Sequence, residues 1–139
     1  MTEKKNKQQT KLTSNMEDYL ETIAALQKVK GVARVRDIGA KLKVKSSSVN
    51  SALQNLSDGG FVIHEKYGYV ELTKEGKKIA AQIQDKHDIL IKFLADILKV
   101  DKTVAAEDAC KMEHTISQQT YEKIVDFVKY VEKCRCKKY

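Results

Sequence analysis

The stretch "ARVRDIGAKLKVKSSSVNSALQNLSDGGFV", Ala33 to Val62, decides the fold. Ile38 and Leu42 stand at i, i+4 and mark a short helix, Val44 and Lys45 form a turn, and Ser46 to Leu56 form a second helix with Val49, Leu53 and Leu56 on its inner face. Two short helices joined this tightly predict a helix-turn-helix, whose second helix is free to lie in the major groove of double-stranded DNA. The outward positions Ser47, Ser48, Asn50, Ser51 and Gln54 are small or amide-bearing. Such side chains read base edges or hold phosphates.

Downstream, "FVIHEKYGYVEL" holds the β-rich runs Phe61 to His64 and Tyr69 to Leu72, joined by "EKYG" with its turn glycine. A hairpin directly after a helix-turn-helix predicts a winged helix; the hairpin then either touches DNA as a wing or only covers the core. Upstream, "SNME" from Ser14 fits a capping box and opens a helix through about Lys28, with Tyr19, Leu20, Ile23 and Leu26 at helical spacing and Gly31 as its stop. Beyond the hairpin, Thr73 caps one long helix running to about Leu98 along the stripe Ile79, Ile83, Leu90, Phe93, Leu94 and Ile97. Helical patterns follow at about Lys102 to Thr115 and, after a Ser117 cap, Gln118 to Glu132. The expected architecture is mainly α: a flexible tail (1–13), a winged helix-turn-helix domain with a small β-hairpin wing (14–75), an all-α domain (76–133) and a basic tail (134–139).

Composition agrees with a helical reading, since the 139 residues include no Pro or Trp and only three Phe. The net charge is +7, and residues 1–80 carry 15 Lys and Arg against 9 Asp and Glu, so the excess lies in the half with the helix-turn-helix. Arg34, Arg36, Lys43, Lys45 and Lys66 are candidates for phosphate contacts, with a solvated basic face as the alternative. No apolar run is long enough to span a membrane, and "MTEKKNKQQTK" lacks the apolar core of a signal peptide, so a cytoplasmic protein is expected. The odd set Cys110, Cys134 and Cys136 has no disulfide-framework spacing, which leaves thiols available as ligands.

In "CKMEHTIS", Cys110, Glu113 and His114 fall at i, i+3 and i+4 and share one helix face. A thiol, a carboxylate and an imidazole together suggest a transition metal, against the plainer reading of a solvated face. Asp18 and Glu21 share a face of the first helix, where they either ligate or only complement the helix dipole. His87 on the long helix is a further ligand candidate or an ordinary surface histidine. Phosphate-loop glycines and a nucleophilic triad are lacking, so an enzyme is not expected. Phe93 and Ile97 with Tyr121, Ile124, Val125 and Val128 form either a homodimer contact or part of a monomeric core.

Taken in order, "MEDYLETI", "ARVRDIGAKLKVKSSSVNSALQNL", "GFVIHEKYGYVELTKEGKKIA", "KHDIL" and "CKMEHTIS" resemble the diphtheria toxin repressor family of metal-dependent transcriptional regulators, in its short manganese-regulator branch. The resemblance runs from about Ser14 to Tyr130. It implies an operator-reading winged helix, a helical metal-binding and dimerisation domain without an SH3-like domain, and a metal-loaded homodimer that represses genes of iron or manganese homeostasis. It also implies Asp18, Glu21, His87, Cys110, Glu113 and His114 as the ligand set. Cysteine at the place of Cys110 is typical of the iron branch and aspartate at the place of Asp18 is not, so the chain is a hybrid. Ala106 and Ile91 occupy places where the iron branch has further ligands. The hard oxygens suit Mn²⁺ or Fe²⁺ while a Cys110 thiolate favours Fe²⁺, with Co²⁺ or Zn²⁺ as substitutes in vitro; iron is the first expectation. The rival expectation is a metal-independent winged-helix DNA-binding protein with a structural zinc site.

Replacing Gln54 by Ala is expected to reduce discrimination between DNA duplexes, whereas Lys45→Ala weakens binding to all of them and lowers the salt slope by about one. Binding isotherms over a salt series distinguish the two, and an equal loss on every sequence for Gln54→Ala would refute its assignment.

Overall fold

The computed structural model describes residues 12–65 and 68–136, which divide into two compact units at Gly76 and Lys77. Helix α1 (Ser14–Lys30) opens the first unit. Its cap is Thr13, not Ser14: the Thr13 hydroxyl accepts from Met16 N at 3.2 Å, and Ser14 is already helical. With three polar residues in succession, the one whose backbone remains extended, Thr13 at φ −72, takes the capping role. Gly31 ends the helix at φ 80, a left-handed conformation that costs glycine nothing.

The helix-turn-helix stands as read, with α2 (Val35–Leu42) and α3 (Ser46–Asp58). The chain turns between them through Lys43, left-handed at φ 57. Val49, Leu53 and Leu56 are fully buried on the inner face of α3, and Ile38 joins them from α2. Tyr19, Leu20, Ile23 and Leu26 of α1 complete this core, so the apolar stripes of all three helices meet. The hairpin consists of β2 (Val62–His64) and β3 (Tyr69–Leu72), but a third strand was not foreseen. Strand β1 (Ala33–Arg34) pairs antiparallel with β3, giving the order β1-β3-β2 with Arg34 opposite Tyr69. Two residues carry no readable alternation, which is why β1 escapes a periodicity argument.

Helix α4 (Lys74–Ile91) begins where the hairpin ends. Thr73 serves as its cap, accepting from Gly76 N at 3.1 Å while its hydroxyl donates to Gly60 O at 2.6 Å. A Cβ on Gly76 would lie 2.0 Å from Phe61 O, so this helical turn approaches the backbone before β2 more closely than any side chain allows. The expected uninterrupted helix to Leu98 gives way to a π-helical segment, Lys92–Ile97, in which Leu98 N donates to Phe93 O at 3.0 Å.

The second unit is completed by α5 (Lys102–Thr115) and α6 (Gln118–Cys136). Its core joins Leu90 and Leu94 to Ala105 and Ala109; the small residues on α5 let helices approach closely. Helix α6 extends past the expected Glu132, so Cys134 and Cys136 lie on a helix rather than in a tail. Two contacts hold that extension: Glu132 pairs with Lys92, raising the Lys92 pKa chiefly through their hydrogen bond, and Arg135 donates to Asp96 O at 3.2 Å. The expected tail at 1–11 and the last residues, 137–139, lie outside the described residues.

Gly76→Ala is expected to lower stability by about 1–3 kcal/mol, because overpacking against a backbone carbonyl cannot be relieved by a rotamer change. Urea denaturation provides the check; an unchanged midpoint would show that the α4 terminus yields.

Candidate metal centre and nucleic-acid interface

Helices α4 and α5 bring together three of the residues singled out in the sequence. Glu113 is only 2 % exposed, and its carboxylate lies between two imidazoles: His87 Nδ1 is 2.7 Å from Oε2 and His114 Nε2 is 3.2 Å from Oε1. With its proton on Nδ1, His87 donates to Glu113, and that proton position fixes the ring orientation. Local sequence explains the convergence. Ala109 and Glu113 at i, i+4 share the inner face of α5, and Ala109 is small enough to admit α4. A buried carboxylate requires compensating positive charge or hydrogen bonds, and imidazoles with a divalent ion supply both.

Cys110 is exposed, one turn before His114 on α5. Asp18 and Glu21 are half-buried on α1 of the first unit, three residues apart. The nitrogen and oxygen donors of His87, Glu113 and His114 fit a divalent transition metal, and a thiol one turn away is compatible with a softer one.

On the first unit, Ser47, Ser48, Asn50, Ser51 and Gln54 all stand exposed along α3. Gln54 Nε2 donates to Asp58 Oδ1 at 2.9 Å, which holds the amide along the helix until a partner displaces it. Arg34, Arg36, Lys43 and Lys45 are exposed around the helix-turn-helix; Lys66 lies outside the described residues. Sequence reasoning passed over Tyr69, whose hydroxyl accepts from Arg34 Nη2 at 3.3 Å beneath a guanidinium 5.2 Å from the ring centroid. The i+35 separation hides such a pair from any local pattern.

In the second unit a cavity of about 450 Å³ is lined by Phe93, Leu98, Ile124 and Phe127 among others. Phe127 is 46 % exposed and meets Phe93 edge to face, with centroids 6.3 Å apart. Tyr121, Ile124 and Val125 are half-buried on α6, as is Ile97. Val128, at 2 % exposure, is buried in the core of its own unit. Phe127, outside the stripe read from the sequence, is one of the exposed large apolar residues of this unit, with Leu98, Val104 and Tyr130.

Comparison with known proteins separates the two halves in the same order. Residues 11–70 match the model described as "Iron dependent repressor, N-terminal DNA binding domain", and residues 73–138 match "Iron dependent repressor, metal binding and dimerisation domain". The chain belongs to the iron-dependent repressor family. It is thereby placed among metal-dependent, DNA-binding transcriptional repressors with a winged helix-turn-helix followed by a helical dimerisation domain. The HTH-type transcriptional regulators MntR of Bacillus velezensis and Bacillus subtilis are each 40% identical over 120 residues, covering 86% of this chain and 84% of theirs. Among solved structures, the manganese regulator SloR is similar at 28% identity and a TM-score of 0.72, covering 86% of this chain and 55% of that one. The T. acidophilum IdeR follows at 26% identity and a TM-score of 0.70, covering 79% and 52%. The chain thus spans about half the length of these solved relatives. No helix among the described residues is long and apolar enough to cross a membrane.

Glu113→Gln keeps the shape of the side chain and removes its charge. Titration calorimetry with Mn²⁺ is expected to show a loss exceeding the ~10–100-fold that follows removal of an outer-shell partner; unchanged affinity would take Glu113 out of the ligand set.

Proposed function

We propose that this iron-dependent repressor family member binds Fe²⁺ or Mn²⁺ as corepressor through Asp18, Glu21, His87, Cys110, Glu113 and His114, and represses genes of iron or manganese homeostasis. The observation that carries the reading is the buried Glu113 carboxylate held between His87 and His114. When bound, the ion would supply positive charge that neutralises the carboxylates among these residues. Glu113 Oε2 orients the His87 imidazole, and Oε1 lies 3.2 Å from His114 Nε2. Asp18 and Glu21, on a helix packed against α2 and α3, contribute oxygen donors and so link ligand binding to the reading head. An ion acts as corepressor only to the extent that it binds the DNA-competent arrangement more tightly.

The DNA partner is read by Ser47, Ser48, Asn50, Ser51 and Gln54 of α3 in the major groove, with Arg34, Arg36, Lys43, Lys45 and Lys66 on phosphates. A two-fold homodimer presents two such helices to two half-sites. Its contact centres on Phe93, Leu98, Ile124 and Phe127, the apolar surface around the cavity, with Ile97, Tyr121 and Val125 beside it. Cys110 sets the metal preference: a thiolate favours Fe²⁺, Co²⁺ or Zn²⁺ over Mn²⁺, whereas the structural relative SloR is described as a manganese regulator.

Chelated protein is expected not to retain any duplex from a random DNA library, and added Mn²⁺ or anaerobic Fe²⁺ restores retention. Co²⁺ is expected to give a thiolate charge-transfer band that Cys110→Ala abolishes. Retention indifferent to metal would overturn the corepressor reading in favour of a structural zinc site, and an unchanged Co²⁺ spectrum in the variant would return the preference to Mn²⁺.

A further inference from the structure

Arg34 is fixed where most surface arginines are mobile. It occupies β1, the two-residue edge strand, directly opposite Tyr69 of β3. Backbone bonds hold the pair in place: Val35 N donates to Gly68 O at 3.3 Å, and Glu65 N donates to Tyr69 O at 3.0 Å. The guanidinium carbon lies 5.2 Å from the Tyr69 ring centroid and Nη2 donates to the phenol oxygen at 3.3 Å. Among the described residues no carboxylate pairs with Arg34, and its side chain is exposed. A guanidinium with five donors, one of them engaged by a neutral hydroxyl, keeps its full charge and most of its donors for another anion. Neighbouring Asp37 is drawn toward Lys30 at 3.4 Å, so the nearest acid on α2 is engaged elsewhere.

From this we propose that Tyr69 is a positioning residue that aims Arg34 at a backbone phosphate of the DNA bound by the wing. The inference rests on the DNA-binding reading above and deepens it. Stacking on the ring and the hydrogen bond to its hydroxyl restrict the rotamers of Arg34 before DNA arrives, so less conformational freedom is lost on binding. Tyr69 itself need not touch DNA. Its removal therefore acts only through Arg34, and that dependence separates positioning from a direct contact.

The test is a double-mutant cycle on a duplex selected by the wild-type protein with Mn²⁺, or anaerobically with Fe²⁺, read by fluorescence anisotropy over a salt series. Arg34→Ala is expected to weaken binding and reduce the salt slope by about one. Tyr69→Leu should weaken binding by roughly three- to tenfold, and Arg34→Ala with Tyr69→Leu no further than Arg34→Ala alone. Tyr69→Phe keeps the ring and the sheet packing, and retains most of the affinity if stacking dominates; melting curves of each variant establish that the sheet is intact. Additive losses in the double variant, or wild-type affinity for Tyr69→Leu, would overturn the proposal. Failure of the wild-type protein to select any duplex with any metal would instead overturn the DNA-binding reading on which it depends.

Discussion

A carboxylate that is 2 % exposed must be compensated, and the second unit is arranged around that requirement at Glu113. The compensation comes from His87 on α4 and from the adjacent His114, so the side chain ties two helices together through polar contacts at 2.7 and 3.2 Å. The apolar contacts of Leu90, Leu94, Ala105 and Ala109 set the spacing between those helices. Small residues on α5 are therefore a condition of the polar site as well as of the core. Under the proposed metal reading, an ion held by the same groups would inherit an orientation already set by packing.

The first unit follows a different logic. Its helices form a conventional apolar core, with Leu20, Ile23, Ile38, Val49, Leu53 and Leu56 fully buried, and the outward face of α3 carries the exposed Ser47, Ser48, Asn50, Ser51 and Gln54. The two hydrogen bonds of the Thr73 hydroxyl, together with the close approach of Gly76 to Phe61 O, fasten the base of the hairpin to the first turn of α4.

Much of this was legible in advance because it is periodic or local. The helix-turn-helix rests on apolar spacings that bury as read, and α5 begins and ends where the pattern placed it. Cys110, Glu113 and His114 stood out as three ligand types on one helix, but only tertiary structure could set His87 against Glu113 across 26 positions. Strand β1 is too short to have a period, Tyr69 meets Arg34 across 35 positions, and Val128 belongs to the same stripe as residues that remain partly open. Thr13 displaced Ser14 as a cap because adjacent hydroxyl residues satisfy the same local rule.

The π-helical segment Lys92–Ile97 contains no Gly or Pro to announce it, yet it alters how chains of this kind should be aligned. One additional residue in a turn rotates every later position by about 100° relative to an unbroken α-helix. Residues after it therefore correspond in space to positions one step displaced in a relative whose helix is regular. Against a relative whose helix is unbroken, a residue-by-residue alignment would need a single-residue gap near Phe93 to Ile97.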